Sequence, residues 1–428
     1  MIHVTRCMLL LSLAIATAIA HGADAEPVRT ARNTVVWVSI DGLRPDYVDR
    51  AETPTLGRLV RQGVHTRQLV PTFPALTFPS HVSQVTGVPV REHGVTSNAF
   101  YDRQRDRIYR YPPFANLIEA EPIWLTATRQ GVRTAVGDWP MAHWQRGPMQ
   151  PAYSNERFDH GLTDRDRLEA LLDIWQNDDH ESPLRLLMTW TGELDVTGHT
   201  HGPDADAVTD TMAQTDELLG WFIAGAREAW QATAEPGDAL YVLLSTDHGM
   251  SAVHTLVHPG RLAGVDGRDD VTLLYSGSIA HVHLHELDAA ERERVIERAL
   301  AAADEHAFAR AWRRDDLPER WAYDHPTRSG ELVMVLDTGH TFSARPTELT
   351  GDADDFPGVR GMHGYDPADD ANMLGFAVLW RFPEPLGGGH IERVDALQLH
   401  PTVARLLGID PAEGARAAPI EWETVQEP

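Results

Sequence analysis

The chain of 428 residues contains no lysine and a single cysteine, Cys7. It therefore offers no basis for a disulfide framework or for a zinc site built on thiolates. Arginine provides every basic side chain apart from histidine, and the formal net charge is −26. Such an acidic surface argues against a nucleic-acid polymer as partner. A small phosphorylated substrate remains compatible with this charge, because bound metal ions reverse the local field.

Long hydrophobic runs are also scarce, and the one at the N-terminus is short. An apolar stretch at residues 8–20 follows Arg6 and precedes two small-residue cleavage sites, at residues 18–20 and 23–25. This pattern predicts a secretory signal peptide over residues 1–25, which contains Cys7 and is too short to span a bilayer. We therefore expect an exported protein, periplasmic or secreted, with no integral membrane segment in its mature form.

The remaining residues, 26–428, alternate short β-branched runs with longer amphipathic stretches. Hydrophobic residues make up 42% of the chain, enough to fill a sizeable core. Strands are predicted near residues 35–40, 134–136, 184–188, 240–245 and 374–379, and helices at residues 55–62, 80–85, 166–175 and 209–230. This alternation predicts an α/β fold, a three-layer α/β/α sandwich around a mostly parallel sheet.

Residues 252–360 differ in pattern and are predicted to form a small inserted α+β lobe. Strands are expected at residues 271–275, 280–284 and 331–336, with a helix at residues 289–305. His281, His283 and His285 alternate and would share one face of a strand. Because no carboxylate motif accompanies them, we interpret this face as solvated rather than as a metal site.

Two acids directly follow predicted buried strands. Asp41 comes after Val35–Ile40, and Asp247 with His248 follows Leu240–Ser245. Ligands of open α/β sheets gather at the carboxyl ends of strands, which places these side chains at the edge where a site forms. Taken alone, Asp41-Gly42 would be interpreted as an ordinary turn.

A third acid, Asp195, lies four residues before His199. On a helical turn this spacing puts both side chains on one face, although the glycines nearby also allow a tight loop. The pair is either a shared metal site or a surface contact. His363, in the segment Gly361–Pro367, supplies a further imidazole. Carboxylate oxygens and histidine nitrogens are the ligands that Zn²⁺ takes.

Thr77 stands just before Phe78-Pro79, where a helix is predicted to begin. Free backbone N–H groups at a helix start favour an anion, so a phosphate would lie over the first turn. The alternative role of Thr77 is helix capping. Beside a metal ion, its hydroxyl can become a nucleophile.

The order of these motifs resembles the nucleotide pyrophosphatase/phosphodiesterase family of the alkaline phosphatase superfamily, from about residue 34 to residue 412. The resemblance implies an alkaline-phosphatase-like fold and two Zn²⁺ ions. It implies that Asp195, His199 and His363 hold one ion. It implies that Asp41, Asp247, His248 and Thr77 hold the other.

The same resemblance assigns residues to the substrate. Asn98 would donate a hydrogen bond to a phosphoryl oxygen, and Phe78 would stack on a nucleobase with Tyr153 as the opposite wall. Without the resemblance, Asn98 would be interpreted as a turn asparagine.

The function implied is zinc-dependent hydrolysis of phosphodiester and phosphoanhydride bonds in nucleotides. Thr77 would form a phospho-threonine intermediate, and a nucleoside monophosphate would be released. Residues 134–144 lack the cationic pair of related monoesterases, which favours diesters or pyrophosphate bonds. The alternative is a phospholipase C-like enzyme or a glycerophosphocholine phosphodiesterase that uses the same two metal ions. The 12 tryptophans of the chain are compatible with an aromatic pocket for choline. A non-catalytic binder of phosphorylated ligands is a third possibility.

Overall fold

The structure is a computed structural model that describes residues 31–422. The predicted signal peptide lies outside the described residues. A nine-stranded mixed sheet forms the centre of the protein. Its strands, in spatial order, are Gly389–His390, Val64–Val70, Gly375–Phe382, Ala239–Ser245, Asn33–Ile40, Leu186–Thr191, Thr134–Val136 and Tyr153–Ser154, with Val394–Asp395 also paired to Val64–Val70.

The middle of the sheet is parallel. Asn33–Ile40 pairs in parallel with both Ala239–Ser245 and Leu186–Thr191, whereas Gly375–Phe382 runs antiparallel to its two neighbours. Parallel strands are buried on both faces, which explains why the central strands read as continuous apolar runs. The carboxyl ends of three adjacent strands consequently meet at one edge.

Alternation along Asn33–Ile40 sends side chains into two separate cores. Val36, Val38 and Ile40 belong to one hydrophobic cluster, and Val35 and Trp37 belong to the other. The first cluster is closed by the helices Pro54–Gln62, Asp164–Gln176 and Asp206–Gln231, and the second by Ile123–Arg129 and Leu399–Leu407. The predicted α/β fold, with one sheet between two helical layers, is confirmed.

The described chain contains six further α-helices. They are Tyr47–Arg50, Thr77–Thr86, Val90–His93, Glu193–His201, Pro259–Leu262 and Ala289–Asp304. Between residues 31 and 422, no helix combines the length and the apolar character needed to cross a bilayer.

Within residues 252–360 a second sheet forms, antiparallel throughout. Its order is Val271–Ser276, Ile279–Leu284, Leu332–Leu336 and Ala309–Arg313, and the helix Ala289–Asp304 packs on one face in a separate hydrophobic cluster. A three-stranded sheet adds His340–Phe342, Thr255–Val257 and Thr350–Asp352, and two-stranded pairs join Ser251–Ala252 to Gly361–Met362 and Ala99–Asp102 to Arg107–Arg110. The division of the chain into a catalytic domain and an inserted lobe stays a prediction.

The expectation that His281 and His283 lie on a solvated strand face is wrong. Both side chains are buried. The ring of His281 hydrogen-bonds Tyr323, and the ring of His283 lies against Tyr101. The two-residue spacing correctly predicted that the side chains share one face of the strand. Both faces of this sheet are covered, however, and the local sequence does not reveal that burial.

Candidate active site

Asp41 and Asp247 meet at the carboxyl edge of the central sheet. Both are buried, at 2% and 1% exposure. The backbone N–H of Gly42 donates to Asp247 Oδ1 at 3.1 Å, which ties the two strand ends together. Gly42 has φ +69°, and a Cβ there would lie 3.1 Å from the Cα of Asp195. Glycine is therefore required where these segments approach each other.

The pair Asp195 and His199 lies on a helix, Glu193–His201, rather than in a loop. The carboxylate of Asp164 accepts hydrogen bonds from the N–H groups of Gly192 and Glu193, at 2.8 and 3.0 Å, and holds the start of this helix. His199 Nε2 lies 3.3 Å from Asp195 Oδ2. The four-residue spacing thus brings both groups to one face, as a helical turn requires.

Three imidazoles, from His199, His248 and His363, converge with the same orientation. In each ring Nδ1 faces a backbone carbonyl oxygen, of Gly361 at 2.8 Å, of Gly249 at 2.9 Å and of Ala75 at 3.0 Å, respectively. A carbonyl only accepts, so each Nδ1 donates and each neutral ring turns the lone pair of Nε2 toward the carboxylates.

Two of these Nε2 atoms, from His199 and His363, are only 3.2 Å apart. Two lone pairs at this distance repel each other unless a positive charge lies between them. The nearby carboxylates would also be stabilised by positive charge. Three of their oxygens are buried without a hydrogen-bond partner among the described residues, namely Asp41 Oδ1, Asp195 Oδ1 and Asp247 Oδ2. Buried polar atoms are normally paired.

Charge in the cluster shifts the pKa of several groups. Burial, with the neighbouring carboxylates of Asp247 and Asp195, raises the pKa of Asp41 well above its usual value. Burial alone would raise the pKa of Asp195 as well, but the His199 imidazole outweighs it and lowers the pKa to about 2. Conversely, burial would lower the pKa of His199, and Asp195 raises it to about 9. Positive charge, as a proton on His199 or as a metal ion, therefore stabilises these carboxylates.

The seven residues with predicted metal contacts form two adjoining groups. In the first, His363 Nε2 lies 3.7 Å from Asp195 Oδ1, beside His199. In the second, His248 Nε2 lies 3.0 Å from Asp247 Oδ2, 3.5 Å from Asp41 Oδ1 and 3.4 Å from Thr77 Oγ1. The groups adjoin because the rings of His248 and His363 stack with centroids 3.6 Å apart.

His81 is a member of the cluster that sequence analysis did not assign. Its Nδ1 lies 3.4 Å from Asp247 Oδ2. That nitrogen also lies 2.8 Å from the carbonyl oxygen of Thr77, while Nε2 lies 2.8 Å from Ser39 Oγ. With both nitrogens engaged, His81 fits a supporting role better than a ligand role. Its position four residues after Thr77, on the same helix face, was the available signal.

Thr77 begins the helix Thr77–Thr86, and its hydroxyl is directed at His248 in the cluster of carboxylates and histidines. The first turn offers fewer free donors than expected. The N–H of Phe78 donates to Asn98 Oδ1 at 2.9 Å, Pro79 has none, and that of Ser80 donates to the carbonyl of Leu76. The structure thus gives little support to phosphate binding by several N–H groups of this turn.

Asn98 contacts the first turn of this helix, and its predicted bond to a phosphoryl oxygen stays a prediction. Its oxygen is occupied by the Phe78 N–H, so the amide NH₂ is the group left to donate. Beside Thr77 and Phe78 opens a cavity of about 410 Å³, a volume in the usual range for small-molecule sites. The walls include Asp41, Thr77, Phe78, Tyr111, Pro113, Pro140, Met141, His143, Phe158, His160, Trp190, Gly192, Asp195 and Val196.

Tyr153 is not part of this cavity, and its prediction as the wall opposite Phe78 is wrong. It lies on the edge strand Tyr153–Ser154, where its ring packs against the core beneath the sheet and its hydroxyl donates to Asp178. Tyr111 stands beside Phe78 instead, with ring centroids 6.0 Å apart and planes at 82°. Which aromatic residue lies beside Phe78 depends on contacts between segments far apart in the chain, and the local sequence does not show these contacts.

The donor set fits divalent metal ions. Three carboxylates with unpaired oxygens, three imidazole Nε2 atoms and one hydroxyl provide seven oxygen and nitrogen ligands, the chemistry that Zn²⁺ prefers. The carbonyl bonds at each Nδ1 are the outer contacts that normally orient metal-binding histidines.

Residues 35–366 match the family described as Type I phosphodiesterase / nucleotide pyrophosphatase. The human ectonucleotide pyrophosphatase/phosphodiesterase family member 7 is 28% identical over 416 residues, which cover 94% of this chain and 86% of the relative. An uncharacterized pyrophosphatase/phosphodiesterase of Schizosaccharomyces pombe is 27% identical over 355 residues, covering 78% of this chain and 68% of the relative.

A solved structure is also similar. It is murine ectonucleotide pyrophosphatase/phosphodiesterase 5, an inactive threonine-to-alanine variant in complex with AMP. The TM-score is 0.75 with 24% sequence identity, and the match covers 89% of this chain and 96% of the other. At this identity the likeness supports the fold.

Proposed function

The chain belongs to the Type I phosphodiesterase / nucleotide pyrophosphatase family, and we propose that it hydrolyses phosphodiester and phosphoanhydride bonds of nucleotides with two zinc ions and a phospho-threonine intermediate. The observation that carries the proposal is the position of the Thr77 hydroxyl, 3.4 Å from His248 Nε2 at the rim of the acidic cluster.

Each zinc ion has a distinct set of ligands in this proposal. Asp195, His199 and His363 hold one ion, and Asp41, Asp247, His248 and Thr77 hold the other. The short distances within each group and the unpaired carboxylate oxygens support this division. When bound, the ions neutralise the carboxylates, lower the pKa of the Thr77 hydroxyl and stabilise negative charge on the phosphoryl and leaving oxygens.

In the first step, Thr77 Oγ1 forms a bond to phosphorus as the bond to the leaving oxygen breaks. The phospho-threonine formed in this way still carries the nucleoside as an ester. Water then cleaves its bond between Thr77 Oγ1 and phosphorus, which releases a nucleoside monophosphate. Helix Thr77–Thr86 holds the nucleophile rigidly, because Ser80 N–H donates to Leu76 and Phe78 N–H donates to Asn98. A fixed nucleophile lowers the entropic part of the barrier.

The substrate is positioned by Asn98 and Phe78. The amide NH₂ of Asn98, which also contacts the Tyr111 hydroxyl, donates to a phosphoryl oxygen, and its orientation is already set by the bond from Phe78 N–H. The ring of Phe78 lies on the cavity wall, where it stacks on the base. The AMP bound to the murine relative is consistent with a nucleotide in this cavity.

Diesters are favoured over monoesters by the charge of the cavity. None of the described residues that line it is arginine, and the whole chain lacks lysine. A monoester dianion would have no cationic side chain to match its extra charge, whereas a diester carries only one negative charge.

The proposal is tested with p-nitrophenyl thymidine monophosphate and p-nitrophenyl phosphate as paired substrates. We expect a higher kcat/KM for the diester, with thymidine monophosphate as product and loss of turnover in Thr77→Ala. A preference for p-nitrophenyl phosphate would overturn the assignment to diesters.

Export is the second part of the proposal and rests on the sequence of residues 1–25. Expression of the full chain in a Gram-negative host, followed by N-terminal mass spectrometry of the periplasmic fraction, tests it. Processing after Ala20 or Ala25 is the expected result, and an intact N-terminus in the cytoplasm would contradict it.

A further inference from the structure

Tyr111 lies on the wall of the proposed substrate cavity and takes no part in the mechanism proposed above. The residue is 64% exposed, so a ligand in the cavity can reach its side chain. Its ring stands edge-on to Phe78, the aromatic side chain that is proposed to stack on the base. A large aromatic side chain left open to solvent at such a place is a candidate for contact with the substrate.

A β-hairpin brings Tyr111 beside Asn98. Asn98 directly precedes the strand Ala99–Asp102, and Tyr111 directly follows its antiparallel partner Arg107–Arg110. The two residues therefore face each other across the open end of the hairpin, where the backbone N–H of Tyr111 donates to the carbonyl oxygen of Asn98 at 2.7 Å. This bond fixes the backbone of both residues and places their side chains together.

The backbone of Tyr111 is strained at this position. Its φ is +44°, a conformation that residues other than glycine rarely adopt. Strain of this kind costs free energy, persists only where the surrounding structure enforces it, and is concentrated at functional sites. A tyrosine held in this way at the wall of a cavity indicates that the position of its side chain matters.

The hydroxyl of Tyr111 contacts the side-chain amide of Asn98. Burial raises the pKa of Tyr111, a hydrogen bond from the Asn98 amide opposes this rise, and the negative charge of Asp195 adds to it. The ring is thus open to solvent, whereas the hydroxyl lies deeper, on the side of the carboxylate cluster. The phenol stays protonated and remains a hydrogen-bond donor.

Counting hydrogens shows what this contact leaves free. The oxygen of the Asn98 amide accepts from Phe78 N–H, so the amide contacts Tyr111 through its NH₂ group. One amide hydrogen is directed at the Tyr111 oxygen, and the second remains for a ligand. Because the phenol oxygen accepts this bond, its own hydrogen is also available to an acceptor in the cavity.

The charge of the cavity gives these two hydrogens a role. No arginine is found among the described residues that line it, and the chain has no lysine. A phosphoryl oxygen turned away from the metal ligands therefore has only neutral donors to bind. Donors fixed in place before the reaction stabilise charge that develops on such an oxygen.

We propose that Tyr111 is a further catalytic residue, whose O–H donates a hydrogen bond to the same phosphoryl oxygen as the free N–H of Asn98. The inference rests on the proposed function and adds to it a second neutral donor. The proton stays on Tyr111 throughout, and no bond to it is made or broken.

The first test compares two tyrosines of the same hairpin with p-nitrophenyl thymidine monophosphate as substrate. Tyr111→Phe keeps the ring beside Phe78 and removes the donor, so kcat/KM should fall about tenfold. Tyr109→Phe is the matched control, because it removes a hydroxyl outside the cavity and should leave kcat/KM unchanged.

Sulfur substitution separates donation from a displaced substrate. The two isomers of p-nitrophenyl thymidine phosphorothioate carry sulfur at one or the other non-bridging position, and sulfur is a weak acceptor. The ratio of kcat/KM for the oxygen ester to that for one isomer should therefore be smaller in Tyr111→Phe than in wild type. A displaced substrate would slow all three esters alike and leave both ratios unchanged.

A double variant separates contact with the substrate from action through Asn98. If Tyr111 donates to the substrate itself, Tyr111→Phe should lower kcat/KM further in the Asn98→Ala background. The absence of a further loss there would show that Tyr111 only orients the amide, and would overturn the inference.

Unchanged kcat/KM in Tyr111→Phe, or the wild-type ratio for both sulfur isomers, would also overturn the inference while leaving the proposed function intact. Absence of turnover of p-nitrophenyl thymidine monophosphate by wild type would overturn both.

Discussion

His248 and His363 stack face to face with ring centroids 3.6 Å apart, although one follows a strand of the central sheet and the other follows Gly361–Met362. Their Nε2 atoms face different carboxylates, of Asp247 and Asp195. The stacked rings therefore form the boundary between the two proposed ion sites. Because these sites share a wall, removal of one ion is expected to disturb the other.

Metal removal should destabilise the protein. Without cations, the unpaired oxygens of Asp41, Asp195 and Asp247 and the facing nitrogens of His199 and His363 are left uncompensated. At a free zinc concentration 1,000 times the Kd, bound metal contributes about 4 kcal/mol to the free energy of unfolding. Calorimetry before and after chelation, with elemental analysis, measures the loss in Tm. Restoration by zinc is the control, and an unchanged Tm in metal-free protein would contradict the prediction.

Thr77→Ala should lower kcat for diesters by about 10⁴-fold or more, because the attacking oxygen is removed. Thr77→Ser is the matched control, since it retains a hydroxyl at the start of the helix and should keep measurable turnover. Quenched-flow mass spectrometry should detect a peptide whose residue 77 carries the nucleoside phosphate in wild type and in Thr77→Ser, but not in Thr77→Ala. Rapid hydrolysis by the alanine variant would exclude the covalent mechanism, even if the two metal ions were present.

The sequence predicted most of the carboxylates and histidines that converge in this cluster, because its parts follow local rules. Asp41 and Asp247 end buried strands, and Asp195 and His199 are spaced by one helical turn. Tyr153 was misplaced because its position depends on contacts between segments far apart in the chain, which local periodicity does not encode. For the same reason, the burial of His283 between packed layers went unrecognised.

His143 shows a different limit. Residues 137–144 show no periodic hydrophobic pattern. The position of the His143 ring depends on a strained loop and on its surroundings, which include Asp138, Asn155 and Arg167. Only the structure shows that one ring nitrogen is bound and the other is free. Strand ends and helix spacing can be predicted from sequence, whereas a loop held by side-chain bonds cannot.

Asn98→Ala should lower kcat/KM by about 10² to 10³-fold, through loss of the donor to the phosphoryl oxygen. It also removes the acceptor for Phe78 N–H, so the Tm should fall. Asn98→Asp separates the two effects. The carboxylate still accepts from Phe78 and should preserve the Tm, but it repels the phosphoryl oxygen, so kcat/KM should fall at least as far. Retained activity in Asn98→Asp would show that donation by the amide is unimportant.

Trp190→Phe should weaken metal binding, because the indole Nε1–H donates to Asp41 Oδ2 at 2.9 Å. This bond orients a carboxylate that otherwise faces the carboxylates of Asp247 and Asp195, and loss of such an outer contact typically costs about 10 to 100-fold in metal affinity. The affinity is measured by competition with a fluorescent zinc chelator, independently of turnover. Trp380→Phe is the control, since its indole donates to Gln62 Oε1 at 3.1 Å, away from the cluster. If both variants bound zinc as tightly as wild type, the orientation of Asp41 would not depend on Trp190.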